Sequence, residues 1–331
     1  MLEVRGLEAS LGAFRLGPID LSVDDGVYAI LAGPNGSGKT SLLKAIAGLV
    51  KARGEILIDG RDVSRLPPER RNIGYVPQSY ALFDNMTVYA NIEYGLKARG
   101  IPREERQRAV MEIAERLEIS ELLSRYPRQL SSGQKQRVAL ARALAVKPRV
   151  LLLDEPLASL DPEIRAPVMA LLRSISREYK LPILHVTHDA AEAYSLGDYI
   201  YVMSRGQIVE AGAPEELYNR PRRAFTARFF GLQVIRAEVK GGVARLVGGA
   251  ELRLSDPADG CCIAFKSDAV GLDGENCVNA VVIDGVRDLR GRSYLVSIGG
   301  EKVVIRAVAE LKPGDLIKVC LPPEELLVLS E

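Results

Sequence analysis

No stretch of this 331-residue chain offers about 18 or more uninterrupted apolar residues, so no segment is expected to cross a membrane as a helix. The first residues, Met1-Leu2-Glu3-Val4-Arg5, lack a basic start followed by an apolar core, and no signal peptide is expected. Any membrane role must therefore come through a partner. The four cysteines, Cys261, Cys262, Cys277 and Cys320, include no CxxC spacing, so neither a zinc site nor a redox pair is expected. They read as reduced, small apolar residues, as in a cytoplasmic protein. A strong charge of one sign is also missing. The net charge is +1, and the chain as a whole carries no electrostatic footprint for nucleic acid.

What is present fits a folded protein of about two domains, with 47% hydrophobic and 26% charged residues. Short apolar runs lie at Val27–Ala32, Val150–Leu153 and Ile183–Val186. Continuous runs of this kind suit a parallel sheet covered on both faces. Between about residues 79 and 148 the chain turns helical, with Glu104–Leu117 and Gln134–Val146 as helices. After about Gly231, short Val/Ile-rich stretches alternate with Gly, Asp and Pro turns, over Cys261–Phe265, Val278–Ile283, Tyr294–Ile298, Lys302–Ala307 and Leu316–Leu321. That pattern predicts a small β-barrel or sandwich, with the boundary in Asn219–Leu232. From Gln233 onward there are twelve Lys and Arg against fifteen Asp and Glu, so this part is mildly acidic.

Chemistry enters at Gly33-Pro34-Asn35-Gly36-Ser37-Gly38-Lys39-Thr40, which matches G-x-x-x-x-G-K-[ST] and leads into Ser41. The glycines let backbone N–H groups curl around phosphate oxygens. Lys39 supplies a point charge for the outer phosphates, and Thr40 a hydroxyl for Mg²⁺. The loop follows a strand and opens a helix, whose N-terminus favours an anion. Val150–Leu153 then runs into Asp154 and Glu155. Asp154 is placed to hold Mg²⁺, and Glu155, one residue beyond, to polarise an attacking water. Alone, acidic residues after a strand say little; behind a phosphate loop they become specific.

Leu130-Ser131-Ser132-Gly133-Gln134 opens a helix 20 residues before Asp154. It resembles the signature, usually L-S-G-G-Q, of ABC (ATP-binding-cassette) ATPases, with Ser132 in place of the first glycine. The resemblance implies a head-to-tail homodimer holding two ATP molecules. The signature residues Ser131, Ser132, Gly133 and Gln134 of one subunit would close on the nucleotide of the other. It also implies that Gln78 links Mg²⁺ and the water to the helical insertion, that Asp161 belongs to the loop crossing the dimer seam, and that His188 is the switch histidine touching the γ-phosphate. His185, inside a strand, reads as structural. The family's usual adenine-stacking aromatic is missing: Leu11 precedes Gly12. Phe14, the nearest substitute, is as well explained by core packing.

One cassette without fused membrane helices disfavours an exporter half, and the absence of a second cassette or a long coiled-coil insertion disfavours a soluble repair or translation ATPase. The stretch Leu66–Phe83 and Val88–Leu96 resembles importer motors, molybdate/tungstate motors most. In that family the surface around Tyr80, Leu82 and Phe83 receives a short permease helix, although each of these side chains suits the core equally well. Lys312–Val319 and Pro323–Leu329 resemble the close of an OB-like accessory domain. The expectation is an α/β phosphate-loop cassette over residues 1–232 with a helical insertion at about 79–148, then an all-β OB-like domain over 233–331. Function follows as an ATPase with ATP and Mg²⁺ that drives uptake of an oxyanion, molybdate or tungstate foremost, through an integral-membrane permease, with an extracytoplasmic binding protein engaged indirectly. It would sit at the cytoplasmic face of the membrane. Sulfate, iron, sugar or polyamine remain alternative cargoes, and a soluble non-transport ATPase the remoter one. Lys266-Ser267 and Arg290-Gly291-Arg292-Ser293 could hold a regulatory oxyanion, or be solvated turns. No nucleic acid is expected there, since the region is acidic and Phe265 and Tyr294 are its only aromatics.

Overall fold

The computed structural model describes residues 1–288 and 291–330, with Asp288 described by its backbone only. The chain divides into two compact units, Met1–Pro214 and Glu215–Glu331.

In the first unit, β1 (Leu2–Leu11), β2 (Phe14–Val23), β3 (Tyr28–Ala32), α1 (Lys39–Ala47), β4 (Arg53–Ile58), β5 (Arg61–Asp62) and β6 (Ile73–Val76) come first. Three helices follow, α2 (Val88–Ala98), α3 (Arg103–Arg116) and α4 (Ser132–Ala145). The chain then returns through β7 (Val150–Asp154), α5 (Pro162–Tyr179), β8 (Ile183–Thr187), α6 (Ala190–Leu196), β9 (Tyr199–Ser204) and β10 (Gln207–Gly212). The larger sheet has the order β10-β9-β3-β8-β7-β6 and is parallel except for β10. Every residue of β3, β7 and β8 is buried, which explains why these strands read as continuous apolar runs. Each Leu or Ile side chain so placed contributes about 1.5–3 kcal/mol.

A four-stranded antiparallel sheet, β2-β1-β4-β5, shares one core with β3, β7, β8 and α1. Arg71 ties the end of α1 into this core. Its buried guanidinium donates to Ala45 O (3.1 Å), Ile46 O (2.8 Å), Leu66 O (2.9 Å) and Ser64 O (2.8 Å). The guanidinium thus takes up carbonyls at the helix end and in a loop, one of which, Ala45 O, also accepts from Gly48 N at 3.0 Å.

Helices α2–α4 stand between β6 and β7 in the chain. Asn91 on α2 anchors its entry loop, accepting from Phe83 N and donating to the carbonyls of Phe83, Met86 and Thr87. Helix α4 begins at Ser132, two residues before the predicted start. Ser131 Oγ accepts from Gln134 N (3.3 Å) and Gln134 Oε1 accepts from Ser131 N (3.0 Å), a capping box that fixes the first turn.

The second unit holds all of α7 (Pro214–Asn219) but its first residue, then α8 (Ala224–Phe229), which lies within the segment where the boundary was expected. Strands follow: β11 (Gln233–Lys240), β12 (Val243–Leu246), β13 (Glu251–Arg253), β14 (Gly260–Phe265), β15 (Cys277–Asp288), β16 (Gly291–Ile298), β17 (Glu301–Arg306), β18 (Leu316–Cys320) and β19 (Leu327–Leu329). They form two antiparallel sheets, β13-β12-β11-β14-β19 and β17-β16-β15-β18, over one shared core. The cysteine expectation is corrected for two of the four: Cys277 and Cys320 form a disulfide. Strand register places them directly opposite across β15 and β18, a proximity that residues 43 apart in sequence do not advertise. Cys261 and Cys262 are free.

Candidate active site

The phosphate loop is built by sterics. Gly33 (φ 149°) could carry no Cβ, which would lie 2.3 Å from Met203 O. At Gly38 (φ 102°), the residue preceding α1, a Cβ would meet the Phe14 ring at 2.8 Å. Gly36 is also left-handed, at φ 80°. The ammonium of Lys39, 5% exposed, donates to Gly33 O and Pro34 O, both at 2.8 Å. Burial lowers its pKa, while the charges of Glu155 and Asp154 act in the opposite direction. Ser37 is buried, and its Oγ has no partner among the described residues.

Parallel pairing of β6, β7 and β8 brings three strand ends to the front of this loop. Asp154, buried at the end of β7, accepts from Thr40 Oγ1 at 2.7 Å through Oδ1 and from the Tyr75 phenol at 3.1 Å through Oδ2. Burial, then the charge of Asp154, raises the pKa of Tyr75. Glu155 follows in the left-handed region at φ 48°, with its N–H on Val186 O at 3.0 Å. Its two carboxyl oxygens are held separately: Oε2 accepts from Gln78 Nε2 at 3.3 Å, and Oε1 lies 3.1 Å from His188 Nδ1. A cavity of about 350 Å³ is lined by Leu11, Phe14, Asn35, Gly36, Gly38, Lys39, Thr40, Ser41 and Glu155.

Glu155 and the front of the phosphate loop thus share one cavity, with Asp154, Gln78 and His188 bonded to its lining residues. Gly33, Pro34 and Ser37 shape the loop without lining the cavity. Phe14 packs on the core and also lines the cavity. Ser131, Ser132, Gly133, Gln134 and Asp161 are not among the residues lining this cavity. Gly133 lies against α5, where a Cβ would meet Ile164 Cγ2 at 2.8 Å, and the exposed Asp161 directly precedes α5. Ser132 occupies the first helical position, after the N-cap Ser131. His185 is fully buried.

Tyr75 was missed from sequence. Its role depends on β6 lying beside β7, and strand order is not written locally.

A family model described as ABC transporter matches residues 16–158. The molybdate/tungstate import ATP-binding protein WtpC of Pyrococcus horikoshii is 44% identical over 260 residues, 78% of this chain and 75% of the relative. The chain belongs to the ABC transporter family. A second ABC relative, the Fe(3+) ions import ATP-binding protein FbpC 2 of Rhizobium meliloti, is 46% identical and spans 99% of this chain and 90% of its own. Among solved ABC cassettes, the dimeric post-hydrolysis structure of MJ0796 bound to ADP and Pi is 30% identical, with a TM-score of 0.58 over 65% of this chain and 99% of that one. As an ABC ATPase the chain binds and hydrolyses ATP.

Proposed function

We propose that this chain is the motor of an importer that energises uptake of molybdate or tungstate, with Glu155 as the base that activates water. The observation that supports the hydrolytic assignment is the suspension of Glu155 between Gln78 and His188, at the mouth of the Lys39–Thr40 loop. A carboxylate whose two oxygens are held by separate donors keeps a fixed direction. A positioned base of this kind contributes about 10²–10⁴-fold to rate. Lys39 and the loop N–H groups take the phosphates, Phe14 flanks the adenine, and His188 faces the γ-phosphate end. The donor set at Thr40 and Asp154 fits Mg²⁺, and Gln78, which donates to Glu155, is the third ligand of this reading. One hydroxyl and one carboxylate suit an ion that keeps most of its shell from water and substrate phosphate. When bound, Mg²⁺ neutralises charge on the transferring phosphate.

Ser131–Gln134 and Asp161 do not line the chain's own cavity, and they serve the nucleotide of a second copy. Peripheral attachment to the cytoplasmic face follows from binding an integral-membrane permease, which a separate binding protein supplies from outside. Among the described residues no helix is long and apolar enough to cross a membrane. The permease helix fits a cavity of about 650 Å³ lined in part by Tyr75, Pro77, Ala81, Phe83, Tyr94 and Arg142. There the Phe83 and Tyr94 rings meet tilted, centroids 4.7 Å apart, and the Arg142 guanidinium lies 5.3 Å over the Phe83 ring while donating to Tyr80 O and Ala81 O.

The cargo rests on the relatives, because the cassette itself does not touch it. Expressed with the permease and binding protein of its own genome, the chain should support uptake of radioactive tungstate, inhibited by molybdate, in cells lacking another importer. A ferric-iron importer is the second reading, favoured by the iron relative's match across the whole chain. Uptake of iron and not tungstate would establish it.

Regulation by oxyanion in the second unit is testable separately. Ser293 pairs with Arg306, whose N–H donates to Ser267 O at 2.8 Å, so Ser267, Arg292, Ser293 and Arg306 come together; Arg290 lies outside the described residues. Titration of the full-length protein with tungstate, molybdate and sulfate should give heat with the first two. No heat with any of them would leave this unit a purely structural role.

A further inference from the structure

Behind His188 runs a line of buried polar groups that the hydrolytic assignment does not use. The phenol of Tyr28 and His185 Nδ1 are 2.9 Å apart, and both side chains are fully buried. His185 Nε2 has no hydrogen-bond partner among the described residues and lies 4.0 Å from Glu192 Oε2. With a carboxyl oxygen on that side, the tautomer that suits both contacts has Nε2 protonated and Tyr28 donating to Nδ1. Burial pushes the His185 pKa down to about 3, so the ring is neutral.

Glu192, on the first turn of α6, is 6% exposed. Its Oε2 accepts from the Thr187 hydroxyl at 2.7 Å. The same hydroxyl oxygen accepts from the Asp189 N–H at 3.0 Å. Asp189 in turn caps α6, with Oδ1 accepting from Ala191 N (2.8 Å) and Glu192 N (3.1 Å). Arg165 Nη1 reaches both carboxylates, at 3.6 Å from Asp189 Oδ2 and 3.9 Å from Glu192 Oε1. The residues on either side of His188 are therefore both tethered, and both tethers converge on one buried carboxyl.

We propose that Glu192 is a positioning residue for the switch histidine: through the Thr187 hydroxyl it fixes the Asp189 peptide, and with it the turn that presents His188 Nδ1 to Glu155. The proposal rests on the assignment of His188 and Glu155 to hydrolysis. A residue needed only to fill space here would be apolar, since burying a carboxyl is unfavourable and already raises the Glu192 pKa. The carboxyl's stronger contact is the Thr187 hydroxyl, whose single O–H is spent on it, and this fixes the direction in which the hydroxyl oxygen accepts from the His188–Asp189 turn. Loss of the carboxyl frees the hydroxyl to rotate and releases the turn, while the phosphate loop, on a different element, is untouched.

Steady-state ATPase assays on the full-length protein test this. Glu192→Ala should lower kcat at least tenfold with the KM for ATP changed less than twofold. Glu192→Gln, whose amide oxygen still accepts from Thr187, should recover kcat to within threefold of the parent. Thr187→Val should match the loss, Thr187→Ser should restore activity, and the Thr187→Val/Glu192→Ala double variant should fall no further than either single one. The Thr187 pair carries the test if the Ala variant does not fold. A Glu192→Ala or Thr187→Val enzyme with kcat within twofold of the parent overturns the proposal, as do additive losses, or losses the Gln and Ser variants fail to rescue. His188→Ala separates the layers. If it abolishes turnover while Glu192→Ala is silent, only the positioning role falls. If it leaves kcat unchanged, the assignment of His188 falls as well.

Discussion

Glu155→Gln should bind ATP within about threefold of the parent and hydrolyse it about 10²–10³-fold more slowly, in the range expected for loss of a general base. The substitution is nearly isosteric. The backbone at φ 48° and the 3.0 Å bond from Glu155 N to Val186 O do not involve the side chain. An amide oxygen still accepts from one of the two donors, Gln78 or His188. What disappears is the basic oxygen that removes a proton from water. Since Lys39, Thr40 and Asp154 are unchanged, nucleotide binding should survive, and slow turnover should trap an ATP-dependent dimer. Phosphate release, titration with a fluorescent ATP analogue and size-exclusion chromatography with and without ATP read the three consequences. Near-normal phosphate release would remove Glu155 from its assigned role, whatever the dimer does.

The parts of this site that were legible in sequence are those whose chemistry is local. A phosphate loop needs glycines at fixed offsets because particular backbone positions demand φ > 0, so Gly33, Gly36 and Gly38 announce themselves. The apolar runs of β3, β7 and β8 announce a sheet covered on both faces. Strand order is different, because it is set by which crossovers pack. Tyr75 reaches Asp154 only because β6 lies beside β7, and no window of sequence contains that fact. The disulfide was illegible for the same reason, since opposition of Cys277 and Cys320 depends on the register of β15 and β18. Arg71 was hidden otherwise. It sits among Glu69, Arg70 and Asn72 and reads as a surface charge, yet its partners are four backbone carbonyls, which leave no signature in side-chain pattern.

Lys39→Met should weaken ATP binding by at least about 100-fold, because it removes charge-assisted hydrogen bonds worth about 1.5–3 kcal/mol each and keeps the stem that packs in the loop. Lys39 lies buried beside Glu155 and Asp154, whose charges sustain its protonation against the burial that lowers its pKa. It sits on a loop whose carbonyls already orient the ammonium. Removing it leaves two acidic side chains facing the phosphates with no cation on the loop, and repulsion replaces attraction. Arginine should not rescue, since a planar fork cannot occupy the place of a compact ammonium held by Gly33 O and Pro34 O. The two variants divide the reaction cleanly. Glu155→Gln binds and stalls, while Lys39→Met fails before binding, so the combined variant should lose the ATP-dependent dimer that Glu155→Gln accumulates. A Lys39→Met protein that binds ATP within about threefold of the parent would show that the loop backbone and helix α1 suffice for the phosphates, leaving the lysine a purely structural latch on the loop.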